Sequence, residues 1–400
     1  MNRLARPVKP ARISGFLGAG LGVICALAFA FTASARDQEN ARPTPVEVIN
    51  PAKPVPVVAE GKRILAYELH ITNFGQDALV LQRIEVYSGD HAEPLATFEG
   101  TALAPMVSLV GEPMDMSGGK ASGEKLRLDP GRRLVVYMWL ALPLQDPVAA
   151  SLRHRLSFTV EGGGGQAGAA TASHIDGIVV PVSREAVPLL LPPLRSGEWL
   201  AGHGPGNSSD HRRSVISLQG GVYIAQRFAT DWMMVGKNTN TFHDSREKNE
   251  NFWGYGQPVY AVAEGEVTAV VDKFPDNQPG ELPQPVTLEN IAGNHVILRI
   301  APKRYVMYAH LKAGSVRVRL HQQVTSRDVI AQVGNSGQTT APHLHFQVMD
   351  GNSPLAAEGV PYLFRSFTFL GLGRDFEEDK HPTVPKEREL PLDDDVVAFQ

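Results

Sequence analysis

The stretch that decides the fold reads Ala341-Pro342-His343-Leu344-His345-Phe346-Gln347-Val348. Its polar and apolar residues alternate, which is typical of a strand, and in a strand residues i and i+2 point to the same face. His343 and His345 are therefore expected side by side, with Leu344 and Phe346 facing a core. A neutral imidazole nitrogen is a good zinc ligand, and a second imidazole beside it can orient a water or take a proton. The alternative is a polar strand face that happens to carry two histidines.

The composition of the chain is that of a globular β protein. Its 400 residues are enough for two or three domains. The 38 glycines and 30 prolines, with a modest share of charged residues, favour a turn-rich β protein over a helical one. The formal net charge is -4, and removal of a leader with four basic and no acidic residues would make it about -8. Such a surface offers no electrostatic footprint for nucleic acid.

The N-terminus has the pattern of an export signal. A basic region is followed by an apolar segment at residues 15–31 and by the cleavage triplet Ala33-Ser34-Ala35, which predicts a signal peptide over residues 1–35 and a periplasmic or extracellular protein. An uncleaved anchor is the alternative, but the apolar run is short for a membrane span. No later run is long enough to span a bilayer. The single cysteine, Cys25, lies in this leader, so a metal in the mature chain must use His, Asp or Glu.

The first domain is predicted to be a β-sandwich without a catalytic site. Residues 36–56 are rich in proline and alanine and are interpreted as a linker. Residues 57–182 contain short alternating strands separated by turn signals, which predicts an immunoglobulin-like β-sandwich. Three of its histidines, His70, His91 and His154, are scattered and are interpreted as surface or satisfied sheet residues, so we expect this domain to position the protein or to bind a protein partner.

The second domain is predicted to be antiparallel β, so that the fold class is all-β. Residues 183–220 are interpreted as a linker and crossover. Residues 221–372 show strand alternation and tight turns without a long helical period. Residues 373–400 carry prolines and acidic runs such as Asp393-Asp394-Asp395, so we expect an acidic, mostly disordered tail.

Six short motifs follow one another in the second domain. They are Phe228-Ala229-Thr230-Asp231, Tyr255-Gly256-Gln257-Pro258-Val259-Tyr260-Ala261, Ala263-Glu264-Gly265, Tyr308-Ala309-His310-Leu311, Val333-Gly334-Asn335-Ser336-Gly337 and Pro342-His343-Leu344-His345-Phe346. In this order they resemble the lysostaphin-type (LytM-like) zinc peptidases, which cut peptidoglycan cross-bridges or stem peptides. The set is highly specific, although no single motif would be. The resemblance covers roughly residues 223–350 and not the first domain.

The resemblance implies an antiparallel β peptidase domain with one zinc ion. In the family a His and an Asp of a first motif, HxxxD, and the second His of HxH hold the zinc. Asp231 matches the carboxylate ligand and His345 the last imidazole ligand. His310 and His343 match the histidines that activate the attacking water or stabilise the tetrahedral intermediate. A histidine near its neutral pKa can serve as base and proton shuttle, while zinc polarises the amide carbonyl.

The first motif departs from the family at Arg227, where the family has histidine. A guanidinium stays protonated and has no lone pair to give, so Arg227 cannot be a ligand. Three alternatives stay open. The site recruits another histidine, binds zinc poorly through Asp231 and His345 alone, or is metal-free with Arg227 paired to Asp231. The candidates for a recruited ligand are His211, which we choose, His243 and the more distant His203.

Two turns also differ from the family pattern. His321 and Arg327 stand where the family usually has turn glycines. A residue other than glycine pays a free-energy cost at positive φ. These turns are therefore expected to have changed shape.

Two functions from different classes follow. The first is an exported zinc metalloendopeptidase that hydrolyses peptide bonds in peptidoglycan or in another extracytoplasmic peptide. It rests on Asp231, His310, His343 and His345. The second is a catalytically degenerate module that binds the wall or activates another hydrolase, and it rests on Arg227. We favour the first, because a site free to drift would not need all four of the other residues.

Overall fold

Strands and turns make up almost all of the part of the chain that the computed structural model describes, residues 44–112, 123–161, 171–376 and 382–400. The all-β prediction is therefore confirmed. The predicted signal peptide lies outside the described residues. Within them the only α-helix is α1 (Asp210–Arg213), and none of the described helices could cross a membrane. Short 3-10 helices occur at Gly100–Ala102, Ala104–Met106, Gly123–Leu126, Lys237–Thr239, Asn249–Asn251 and Gly373–Asp375.

The first part of the described chain forms two five-stranded sheets. One sheet has the order β1-β3-β8-β6, with β2 paired to β3, and the other has the order β10-β9-β4-β5, with β7 paired to β4. Their strands are β1 (Val46–Ile49), β2 (Val57–Ala59), β3 (Lys62–Asn73), β4 (Ala78–Ser88), β5 (Pro94–Glu99), β6 (Val107–Leu109), β7 (Arg127–Leu128), β8 (Arg133–Pro143), β9 (Ser151–Glu161) and β10 (Thr171–Pro181).

The two sheets share one apolar core. Leu65 and Leu69 of β3 lie in the same cluster as Leu81 of β4 and Leu156 of β9. This is the two-sheet arrangement expected of a sandwich, and its immunoglobulin-like character stays a prediction.

The predicted linker over residues 36–56 is wrong where it includes β1. Val48 of β1 lies opposite Ile71 of β3 in an antiparallel ladder. Val46 and Val48 alternate with exposed Glu47 and pack against the core, so this short apolar alternation outweighs the proline-rich composition. β1 lies at the edge of its sheet, where nearby prolines interrupt no interior ladder.

The remainder of the chain is built on an eleven-stranded sheet. Its order is β11-β23-β25-β12-β15-β22-β19-β18-β17-β20, with β24 paired to β23; β13-β14 and β16-β21 are separate pairs. All pairs are antiparallel except β11 with β23. The strands are β11 (Leu189–Leu190), β12 (Glu198–Gly202), β13 (Ile216–Leu218), β14 (Gly221–Tyr223), β15 (Thr230–Val235), β16 (Pro258–Tyr260), β17 (Gly265–Val271), β18 (Asn294–Ala301), β19 (Arg304–Leu311), β20 (Gln323–Val324), β21 (Val329–Gln332), β22 (Leu344–Met349), β23 (Leu363–Leu372), β24 (Val384–Glu389) and β25 (Asp395–Ala398).

Two predicted boundaries of this part are wrong. The segment 183–220, predicted as a linker, contributes β12, whose Trp199 and Ala201 are fully buried. The segment 373–400, predicted as a disordered tail, contributes β24 and β25, and β25 lies between β12 and β23 in the interior of the sheet. Val397 is fully buried there, and apolar burial of such residues outweighs the charge of their neighbours.

The turns at His321 and Arg327 keep a left-handed backbone. Their φ values are 65° and 78°, in the region that glycine favours, so the expected change of shape is wrong. The backbone N–H of His321 donates to the carbonyl of Val267, and that of Arg327 to the carbonyl of Ala261, both at 2.8 Å. These bonds hold each turn against a strain of about 1–2 kcal/mol per residue.

β3 is buried on both of its faces. Leu65 and Leu69 belong to the core of the sandwich, whereas Ile64 and Ala66 belong to the main core of the large sheet. Glu68, on the same face as Ala66, is also fully buried. The sandwich therefore docks on the large-sheet part through one face of β3.

Asp395 is expected to make stability depend on pH. Burial raises the pKa of this carboxyl to about 7. A group with a higher pKa in the folded than in the unfolded chain binds its proton more tightly when folded. Its favourable contribution is therefore complete below the unfolded pKa, near 3.8, and is lost as the pH rises to about 7. Asp395→Asn should raise stability at pH 8 by about 2–4 kcal/mol and change it little at pH 4.

Urea unfolding at the two pH values measures this effect. The matched control is Asp394→Asn, since Asp394 is partly exposed and paired with Arg374 at 3.2 Å. A gain at pH 8 that is equal for both variants would contradict the assignment to Asp395.

Candidate metal centre

The register of the large sheet aligns the site across four neighbouring strands. Asp231 of β15 lies opposite Gly202 at the end of β12 on one side and opposite His345 of β22 on the other. His345 in turn lies opposite Ala309 of β19, next to His310. Leu344 and Phe346 face the core, so His343 and His345 share the other face, as the alternation predicts.

His211 reaches the same point from outside the sheet. The chain leaves β12 at Gly202, and α1 returns His211 so that its Nε2 lies 3.5 Å from Oδ2 of Asp231. Nδ1 of His345 lies 2.9 Å from Oδ1 of the same carboxylate. One possible ligand atom from each of His211, Asp231 and His345 lies within 4.8 Å of the others. The structure thus brings together the three residues that the sequence analysis chose as metal ligands.

The hydrogen bonds of the two imidazoles fit a metal ion. Nδ1 of His211 donates to the carbonyl of His203 at 2.8 Å, and Nε2 of His345 donates to Oε1 of Gln347 at 2.8 Å. The amide nitrogen of Gln347 donates to a backbone carbonyl, which orients its oxygen towards His345. In the neutral rings the remaining nitrogens carry lone pairs and face the carboxylate of Asp231. Three acceptors facing one another match a bound cation, and His and Asp are ligands that zinc accepts.

His310 and His343 complete the site. Their rings are 4.9 Å apart, and the ring of His310 is 5.7 Å from that of His345. Nδ1 of His310 donates to the carbonyl of Ser336 at 2.8 Å, and Nδ1 of His343 donates to that of Ala341 at 2.9 Å. Nε2 of His343 is buried without a hydrogen-bond partner and lies 3.4 Å from Oδ1 of Asp231.

The backbone at His310 is left-handed, with φ 58°. This conformation costs about 1–3 kcal/mol in a residue other than glycine and persists only where the surroundings enforce it. The N–H of His310 donates to the carbonyl of Ala292 at 3.2 Å. The strained residue is thus His310 itself, which lies beside the site and interrupts the alternation of its strand.

Burial and mutual charge set the protonation of the site. Burial lowers the pKa of His211 to about 4 and that of His310 well below its usual value. Burial acts to lower the pKa of His343 too, but the neighbouring carboxylate of Asp231 outweighs it and raises that pKa. Burial acts to raise the pKa of Asp231, but His211 and His343 outweigh it and hold that pKa well below its usual value. At neutral pH Asp231 is ionised and His211 is neutral, the forms that bind metal.

The remaining candidates lie elsewhere. Arg227 is buried and pairs with Glu68 at 2.9 Å and with Glu358 at 2.6 Å, so the alternative in which it pairs with Asp231 is not the one observed. The side chain of His243 contacts Asp244 at 2.9 Å and the ring of Trp253. His203 supplies its carbonyl to His211, and its own side chain is largely exposed.

Two buried polar residues of this region were missed by sequence reasoning. Gln347 follows His345 by two residues, so strand alternation could have placed it on the same face. Glu68 is a lone carboxylate in the apolar run of β3, which is a signal for a buried charge that needs partners. Its partners are more than 140 residues away in the sequence, and no local pattern names them.

Comparison with known proteins identifies the family of this part of the chain. Residues 252–357 match peptidase family M23. The chain contains an M23 peptidase domain. This confirms the resemblance to lysostaphin-type peptidases. The matched segment holds His310, His343 and His345 of the candidate site, whereas His211 and Asp231 precede it.

Each match to an individual relative is partial: it covers only part of this chain, and in ShyB only a small part of the relative. Over 102 residues the chain is 32% identical to the peptidoglycan DD-endopeptidase ShyB of Vibrio cholerae, which is 26% of this chain and 20% of ShyB. The chain thus spans a fifth of this curated relative. A mutant catalytic domain of the prophage-encoded M23 protein EnpA from Enterococcus faecalis matches with TM-score 0.24 and 20% identity, over 44% of this chain and 93% of that domain. The catalytic domain of lysostaphin from Staphylococcus simulans matches with TM-score 0.23 and 21% identity, over 40% of this chain and 84% of that domain.

Proposed function

We propose that the protein is a zinc metalloendopeptidase that hydrolyses peptide bonds of peptidoglycan. The observation that carries the proposal is the convergence of His211, Asp231 and His345, within 4.8 Å of one another, beside His310 and His343. The M23 match of residues 252–357 and the 32% identity to a peptidoglycan DD-endopeptidase support this substrate class. The export signal predicted at residues 1–35 fits a substrate outside the cytoplasm.

The residues of the site divide the chemistry between them. His211, Asp231 and His345 would hold the zinc, which when bound polarises the scissile carbonyl and activates the attacking water. Nε2 of His343 is free to accept a proton, because Nδ1 is occupied by the carbonyl of Ala341. Asp231, 3.4 Å away, stabilises the imidazolium that results. The same proton can then pass to the leaving amine.

His310 acts as a neutral partner in this scheme. Its Nδ1 is tied to the carbonyl of Ser336, and burial lowers its pKa. Its Nε2 therefore stays unprotonated at neutral pH and can orient the attacking water by accepting a hydrogen bond. Opposite pKa directions in two adjacent histidines are the pattern expected when one of them carries the proton.

The non-catalytic alternative rested on Arg227. Because Arg227 pairs with Glu68 and Glu358 rather than with Asp231, it does not fill the metal position. His211 stands beside Asp231 instead. We therefore propose a rewired ligand set rather than an abandoned site.

Zinc analysis of the purified protein tests the proposal. We expect about one zinc per chain in the wild type and loss of that zinc in His211→Ala, since a structural or catalytic zinc site needs at least three protein ligands. His243→Ala is the matched control and should keep its zinc. Wild-type protein that binds no zinc after dialysis against the metal, or His211→Ala protein that retains it, would refute the ligand set.

A further inference from the structure

A buried charge cluster lies between the sandwich and the metal centre. Glu68 and Arg212 are fully buried and Arg227 is 3% exposed. Nε of Arg212 donates to Oε1 of Glu68 at 3.2 Å, and Nη2 of Arg227 lies 2.9 Å from Oε2. One carboxylate of the sandwich thus engages two guanidinium groups of the large-sheet part. Glu358, 2.6 Å from Arg227, supplies the second negative charge.

Each arginine lies close in sequence to one of the candidate metal ligands. Arg212 directly follows His211 in α1, and Arg227 lies four residues before Asp231. α1 has only four residues, so its own backbone bonds hold it weakly. The position of His211 therefore depends on what holds the side chains beside it.

The side chain of Arg212 is held mainly by the sandwich. Besides Glu68, it donates to the carbonyls of Tyr67 at 3.1 Å and Met138 at 2.7 Å, and to Oδ1 of Asn207 at 2.6 Å. Three of these four acceptors belong to β3 and β8. Arg213 continues the contact, since it donates to the carbonyl of Pro105 at 2.6 Å.

We propose that Glu68 is a positioning residue for the metal centre, and that the docked sandwich is needed to hold His211 in place as a ligand. This rests on the proposed function. The sandwich is then an integral part of the metal site rather than an independent binding module. An ion pair between a carboxylate and a guanidinium fixes the orientation of the arginine side chain as well as its distance. This is because each guanidinium N–H must meet its acceptor in the plane of the guanidinium group. Loss of the charge on Glu68 removes the acceptor that both arginines share and so weakens the hold on the short helix that carries His211.

The test compares metal binding in the full chain with and without this charge. Glu68→Gln keeps the shape of the side chain and removes its charge. We expect zinc affinity, measured by competition with a chelator, to fall about 10- to 100-fold, as for other groups that orient metal ligands. The visible spectrum of the Co²⁺-substituted protein should change towards that of His211→Ala, which a purely structural role of Glu68 would not cause. The control is Asp176→Asn, which removes a carboxylate paired with Arg155 on the outer sheet of the sandwich at 39% exposure.

The outcomes separate this inference from the proposed function. If the wild type binds zinc and His211→Ala does not, but folded Glu68→Gln matches the wild type in affinity and Co²⁺ spectrum, the positioning role is overturned. If the wild type binds no zinc, the proposed function itself fails. Should Glu68→Gln not fold, Arg212→Met takes its place, because it leaves Glu68 paired with Arg227. It is expected to show the same loss of affinity, and normal zinc binding in that folded variant would equally overturn the role.

Discussion

His345→Ala is expected to abolish both zinc binding and hydrolysis of purified peptidoglycan. His345 lies opposite Asp231 in the ladder and holds its Nδ1 2.9 Å from that carboxylate. Its removal leaves His211 and Asp231, too few protein ligands for a catalytic zinc. A metal ion supplies several kcal/mol of transition-state stabilisation, so turnover should fall by about 10³-fold or more. Release of soluble peptides from the wall measures the activity.

His343→Ala separates the proton-transfer role from the metal role. Nε2 of His343 has no hydrogen-bond partner, and His343 is not in the ligand group. This variant should keep its zinc while turnover falls by about 10²–10⁴-fold, the usual contribution of a general acid–base group.

The His345→Ala variant provides the outcome that would contradict the mechanism. Wall hydrolysis by His345→Ala protein at the wild-type rate would exclude the zinc mechanism.

Deleting residues 384–400 is expected to unfold the large-sheet part of the protein. This deletion removes β25 from between β12 and β23 and opens the sheet. Val396, Val397 and Phe399 are buried, at about 1.5–3 kcal/mol each. Their combined loss is comparable to the whole stability of a typical domain, about 5–15 kcal/mol. Thermal unfolding followed by circular dichroism should show loss of the cooperative transition.

A surface change in the same segment serves as the control. Glu387 on β24 is exposed, so Glu387→Ala should leave the melting temperature within the small range of ordinary surface substitutions. A truncated protein that melts like the wild type would mean that the segment is the disordered tail that its charge suggests.

Local patterns predicted those parts of the site that lie on regular strands. Alternation around His343 and His345 predicted their common face, and the resemblance to lysostaphin-type peptidases implied that Asp231 and His310 belong to the same site. The sequence left His211 as one of three candidate histidines. His211 reaches the site through a loop, and no periodic pattern of residues predicts the path of a loop. The interaction of Glu68 with Arg212 and Arg227 could not be predicted, since it joins residues far apart in the chain.

The errors in the fold came from composition. The acidic run at Asp393–Asp395 and the prolines around β1 suggested disorder and linker. In the structure Oδ1 of Asp393 accepts a bond from the N–H of Gly204, and Oδ2 of Asp395 accepts one from the N–H of Leu392. These acidic residues serve as backbone acceptors at strand ends. Such local hydrogen bonding is invisible to a count of charges.

Alternate side chains of β3 pack into two different cores. The boundary between the sandwich and the large-sheet part therefore lies between the two faces of this one strand. Unfolding of either core would expose one buried face of β3 to water. Both cores should therefore unfold together, as one cooperative folding unit. The large-sheet part is therefore not expected to move as a separate module. A fragment cut at the limits of the family match would lack His211, Asp231 and the wall of β3 against which its own core is packed.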